Sequence, residues 1–112
     1  MNPKLYVFLN ITGGKKMIVN NVLLKLKNND TENIKKAQEV LLGMKGKIEV
    51  LLDIQAEMNI RPSQTAYDII LITKFESMDD MNEYLIHPVH LEVGKFIGDV
   101  LDTQTSVCYE TK

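Results

Sequence analysis

From Met17 to Lys27 apolar residues occupy both faces of an alternating run. Ile18, Val22, Leu24 and Leu26 share one face with Asn20; Val19 and Leu23 share the other with Asn21 and Lys25. A strand that is apolar on both sides calls for cover on both sides. The pattern then changes period. Ile34, Ala37, Val40, Leu41 and Met44 fall on one helical stripe, with Lys35, Lys36 and Glu39 outside it. Asn29 with Glu32 resembles a capping box, Asp30 and Thr31 being alternative caps, and Gly43 or Gly46 supplies the stop. Residues 48–60 alternate again: Ile48, Val50, Leu52, Ile54, Ala56, Met58 and Ile60 against Glu49, Asp53, Gln55, Glu57 and Asn59, with Leu51 out of step. Such alternation predicts a strand with one dry face and one wet face. Arg61-Pro62-Ser63-Gln64 reads as a turn. A third strand is expected from about Ala66 to Glu76, with Tyr67, Ile69, Leu71 and Phe75 on one side and Ile70 and Ile72 on the other. Ser77 and Asp80 form a second capping box before a short helix whose inner stripe is Met81, Tyr84 and Leu85. His87-Pro88 ends that helix, because the residue before proline avoids the helical region, and Pro88 suits the first position of a new helix. Val89, Val93, Phe96, Ile97 and Val100 give this helix its apolar face, and the β-branched stretch Thr103 to Tyr109 closes as a strand.

The order is strand, helix, strand, strand, helix pair, strand. This is the α+β, ferredoxin-like βαββαβ order, built on an antiparallel sheet. One layer of helices covers one face of that sheet, yet two strands are apolar on both. A second copy of the sheet is the economical cover, so a homodimer is expected, twofold symmetry being the commonest closed arrangement.

Composition adds limits. The 112 residues suit one domain, with 45% hydrophobic and 25% charged residues. A net charge of −2 without a basic cluster argues against a nucleic-acid partner. No apolar run approaches the ~20 residues of a membrane span. The single cysteine, Cys108, points to a reducing, cytoplasmic setting, and its place in a strand suggests a buried, inert thiol. No metal site and no cofactor are expected. Residues 1–16 read as an N-terminal extension, with Leu5 to Ile11 as either an extra edge strand or part of a tail, and residues 17–112 as the domain. Gly13-Gly14-Lys15-Lys16 lacks the spacing of a phosphate-binding loop.

Three stretches give the chain a family likeness: Met17 to Lys27; Arg61-Pro62-Ser63 leading into Ala66-Tyr67-Asp68-Ile69-Ile70-Leu71 and Phe75-Glu76; and Tyr84-Leu85-Ile86-His87-Pro88-Val89-His90. Together they resemble the stress-responsive A/B barrel (Dabb) family over residues 17–110, the last stretch matching its Tyr-Leu-x-His-Pro-x-His motif. The resemblance implies a dimeric α/β barrel, two sheets closed on each other with helices outside, and a cleft in each subunit between sheet and helices. Most members have no settled activity; one, olivetolic acid cyclase, closes a polyketide ring by aldol condensation.

His90 matches the histidine that serves as base in the cyclase, and an imidazole can take a proton from a carbon beside a carbonyl. The plainer reading, a histidine bonding a backbone group at a helix turn, carries somewhat more weight. His87, just before Pro88, reads as a structural cap. Tyr84 matches the family tyrosine; it packs in the core or, in a cleft, orients a ligand carbonyl. Asn20 stands where many members have histidine. It can bind a ligand carbonyl but cannot act as a base at neutral pH, which leaves the two-histidine arrangement of the cyclase incomplete. Asn20, Tyr84 and His90 are therefore the candidate ligand contacts. Three functions stay open: a non-catalytic module for a small apolar or carbonyl-containing ligand, ranked first; a cyclase- or isomerase-like enzyme with His90 as general base; and a monooxygenase of the kind related barrels host.

Overall fold

A computed structural model describes residues 15–112. The predicted strand at Leu5 to Ile11 and the glycine pair before Lys15 lie outside the described residues. The elements run β1 (Ile18–Leu26), α1 (Thr31–Leu42), β2 (Asp53–Met58), β3 (Ile69–Phe75), α2 (Met78–Ile86), α3 (Pro88–Val100) and β4 (Leu101–Glu110). The strands form one antiparallel sheet in the order β2-β3-β1-β4, the ferredoxin-like arrangement.

Register sorts the side chains. Ile18, Leu24 and Leu26 of β1, Ile54 and Ala56 of β2, and Ile69, Leu71 and Phe75 of β3 point toward the helices and form the core with Ala37, Leu41, Met81, Tyr84 and Ile97. On the opposite face Leu23 lies beside Ile70 and Thr105, Asn21 beside Ile72 and Val107, and Val19 beside Lys74 and Tyr109. Val19 is buried, at 3% exposure, outside the helix-facing core cluster, whereas Val107 and Tyr109 are 67% and 50% exposed.

The helix ends follow local chemistry. Asp30, not Asn29, caps α1: its carboxylate accepts from the Asn33 N–H at 2.9 Å. Gly43 forms the C-terminal cap in a right-handed conformation, and Gly46, at φ 77°, makes the left-handed turn that follows. Ser77 caps α2 by accepting from the Asp80 N–H at 3.1 Å. His87 ends α2 and begins α3, and its Nδ1 accepts from the Val89 N–H at 3.0 Å. Pro88 follows at the first helical position, where its missing N–H leaves no orphan. Replacing His87 by Ala should lower stability by about 1 kcal/mol, and His87→Asn should restore most of it, as a urea melt would report. Equal stability of the Ala variant would mean that Pro88 alone sets the kink.

Three expectations need correction. The third strand, expected from about Ala66 to Glu76, is Ile69–Phe75, with residues 66–68 in the loop before it. The strand expected over residues 48–60 is only Asp53–Met58. Ile48 and Leu51 are buried, but in a turn, with the Leu51 N–H bonded to the Ile48 carbonyl at 3.1 Å; Leu52 and Ile60 are exposed. Leu51 broke the alternation because its spacing from Ile48 is that of a turn. Cys108 is exposed, not buried, because β4 is an edge strand, and its Sγ lies 3.7 Å from Met81 Sδ. Among the described residues no helix is long and apolar enough to cross a membrane.

Candidate functional site

The inner face of α3 repeats at helical spacing: His90, Val93, Gly94, Ile97, Gly98 and, at the start of β4, Leu101. All six line one cavity of about 340 Å³ between α3 and the sheet. The floor is β1, which contributes Asn20, Val22 and Leu24, with Leu71 of β3 alongside. Leu41 of α1, Met44 just beyond it, and Tyr84 and Leu85 of α2 close the remaining wall. Aliphatic side chains dominate this lining, and the polar groups are few: Asn20, Tyr84, His90 and Gln104. That composition is typical of a small-molecule site.

The fold thus brings the three candidate contacts, Asn20, Tyr84 and His90, to a single cavity from three different elements. His90 sits on the first turn of α3, and its Nδ1 is 3.0 Å from the Leu85 carbonyl oxygen. A carbonyl oxygen only accepts, so Nδ1 carries the hydrogen and Nε2 is the basic nitrogen of the neutral ring. Burial pulls the His90 pKa below its ordinary value; the Leu85 carbonyl acts in the opposite direction, and His87 adds a smaller lowering. The ring is therefore neutral at pH 7. It stacks obliquely on Tyr84, centroids 4.5 Å apart, and Tyr84 in turn meets Phe75 at 4.9 Å. Three rings in series hold the imidazole at the cavity wall.

Tyr84 is 2% exposed, and burial pushes its pKa up to about 12, so the hydroxyl keeps its proton. That hydroxyl lies 3.9 Å from Met44 Sδ, a weak acceptor, and a ligand carbonyl in the cavity would outcompete it. Asn20 lies on the inner face of β1, with Thr73 of β3 and Cys108 of β4 as its cross-strand partners. Thr73 is 1% exposed.

His87, the other histidine of the motif, does not line the cavity; its ring is used by the α3 cap. Residue reading alone passed over Gln104, Gly94 and Gly98. The signal for Gln104 was the alternation of β4, which puts it on the inner face opposite Leu24. The signal for the glycines was the spacing of four that places both on the stripe of His90 and Ile97. Among the described residues no group of three or more His, Cys, Asp or Glu side chains is placed to hold a metal ion.

Solved structures share the fold. No curated protein matches the sequence. A dimeric protein of unknown function with a ferredoxin-like fold from Bacteroides fragilis is 27% identical, with a TM-score of 0.73 over 84% of this chain and 95% of its own. A Dabb family protein with a ferredoxin-like fold from Mesorhizobium loti is 20% identical, with a TM-score of 0.66 over 84% of this chain and 95% of its own. The hydroxynitrile lyase of Passiflora edulis shares the fold at 12% identity, with a TM-score of 0.75 over 88% of this chain and 95% of its own. The family model of the stress responsive A/B barrel domain matches residues 18–111, and the chain belongs to that family.

Proposed function

We propose that residues 17–112 form a dimeric binding protein for a small, largely apolar carbonyl compound, held in the cavity between α3 and the sheet. The observation that carries this reading is the convergence of Asn20, Tyr84 and His90 on one apolar cavity. Their hydrogen-bonding roles are complementary. The Asn20 amide and the Tyr84 hydroxyl can donate to a carbonyl oxygen, while neutral His90 offers Nε2 as an acceptor for a hydroxyl or an acidic C–H. The single cysteine, exposed and unpaired with another, suits a reducing compartment such as the cytoplasm.

Titration with 2-heptanone, followed by NMR, tests the reading. Saturable shifts are expected at the Asn20 side-chain amide and the His90 ring. Tyr84→Phe should weaken binding roughly fivefold to tenfold, the worth of about 1 kcal/mol for one hydrogen bond. Absence of saturation, or shifts confined to the outer sheet face, would sink the proposal.

A second reading, general-base catalysis by His90, is favoured by one specific observation. The Leu85 carbonyl fixes the tautomer and burial keeps the ring neutral, the state a base needs. The fold also carries lyase chemistry in the Passiflora edulis enzyme. On this reading the protein accelerates deuterium exchange at the carbon beside the ketone. His90→Gln should abolish that acceleration while ketone binding persists. Because the folded pKa is lowered, neutral His90 persists below the ordinary histidine value. The rate should hold from pH 7 to below about 6.5 and fall only at more acid pH. Exchange no faster than in buffer would leave the protein a binding module.

A further inference from the structure

Gly94 and Gly98 stand in the interior of α3, where glycine weakens a helix relative to alanine. Three backbone reasons for glycine can be checked at these positions. Neither residue has a positive φ, since Gly46 alone among the described glycines has one. Neither is approached closely: a Cβ built at either position would meet no atom within 4 Å. Neither ends the helix, which continues to Val100. What the two positions share is the cavity, which they line together with Val93 and Ile97 and which is open to solvent there, both glycines being exposed.

The geometry gives that shared position a direction. The helix rises about 1.5 Å per residue, so Gly94 lies about 6 Å and Gly98 about 12 Å along the axis from His90. Residues that line the cavity are therefore spread over about 12 Å of α3. Asn20, Tyr84 and His90 line this cavity, with Gln104 opposite Leu24 as its fourth polar group, and the two missing side chains lie in succession along α3.

We propose that Gly94 and Gly98 are the specificity-determining positions of this cavity, leaving a channel along α3 for an unbranched apolar tail behind a polar head at His90. The inference rests on the ligand reading above and extends it to a substrate class: straight-chain carbonyl compounds, selected by tail length and against branching near the head.

A homologous series from 2-butanone to 2-nonanone, titrated by calorimetry, tests it. In the wild type each added methylene should tighten binding roughly fourfold for as long as the channel accommodates it. Gly94→Leu should halt that gain at shorter chains than Gly98→Leu, and both should weaken the longest bound ketone at least tenfold while leaving 2-butanone within twofold. Gly94→Ala and Gly98→Ala, small changes in open space, give a graded control and should melt above the wild type, which keeps the test independent of any folding defect in the Leu variants. A wild-type series that responds to tail length, with unchanged series in both Leu variants, overturns the glycine assignment and leaves the ligand reading standing. Failure of every ketone to bind the wild type overturns the ligand reading and this inference with it.

Discussion

On the dimeric reading proposed above, replacing Leu23 by Asp is expected to give a monomer with its own fold intact. Leu23 is central on the outer face of the sheet, paired with Ile70 on one side and Thr105 on the other. Ile72, Val107 and Tyr109 continue the apolar surface in the next two rows, outside the helix-facing core cluster. An open trough of about 410 Å³ runs from Leu23 and Ile70 to Tyr67, so the face also has relief into which a second surface can fit. A monomer with this face in water would carry a liability that pairing with a second copy removes. In a twofold interface each substitution counts twice, because the same patch faces itself. Two unpaired carboxylates buried there, at roughly 3–5 kcal/mol each, raise the dimer dissociation constant by about 10⁴-fold or more. Native mass spectrometry and sedimentation at micromolar concentration would read the change. A wild type that is itself monomeric would contradict the argument, as would a Leu23→Asp variant that remains a dimer. Circular dichroism separates dissociation from unfolding, since Leu23 takes no part in the helix-facing core.

What could be read in the sequence was what local chemistry dictates. The two-sided strands β1 and β3, the Ser77 cap and the His87-Pro88 break rest on neighbours within a few residues, and the structure has them in place. The over-long second strand failed for a physical reason. Ile48 and Leu51 are buried by a turn closing onto the core, and burial alone produces apolar letters whatever the backbone does. Cys108 was misplaced because apolar composition in a terminal strand does not tell an edge from a centre. In the site, the side chains with obvious chemistry could be named. The cavity could not, because its volume depends on where α3 lies over β1 and on two glycines whose contribution is the absence of atoms. The tautomer of His90 was equally hidden. It is set by the Leu85 carbonyl, five residues earlier but across the break between two helices.

Asp68 shows the same limit in the core, and its replacement by Ala should give a large loss of stability. It is 8% exposed, and the pattern of the sequence assigns it no role of its own between Tyr67 and Ile69. The ladder between β1 and β3 ends at the pair Leu24 and Ile69, and β1 shifts register against β4 between Lys25 and Leu26. The Leu26 N–H, beyond the ladder with β3, donates to Asp68 Oδ2 at 2.8 Å. Oδ1 accepts from the Asn29 amide at 3.3 Å, which ties the loop before α1 to the same carboxylate. The backbone of Asp68 is also engaged: its N–H donates to the Leu24 carbonyl at 2.8 Å, and its carbonyl accepts from the Asn59 N–H at 2.9 Å. One residue thus joins the end of β1 to the entry of α1 and to the loop after β2. Alanine preserves the backbone bonds and removes the side-chain acceptor, leaving a buried N–H without a partner. Hydrogen bonds to a charged group contribute about 1.5–3 kcal/mol each, and the orphaned donor adds its desolvation, so a loss of about 3 kcal/mol is expected. Asn retains one acceptor and should lose about half as much. Urea unfolding of the three proteins under identical conditions measures both differences. Because Leu24 lies on the cavity floor, Asp68→Ala should also weaken binding of the longer ketones more than that of 2-butanone. Equal stability of all three proteins would show that water replaces the carboxylate at Leu26 without penalty, and that the end of β1 is held by its backbone ladder alone.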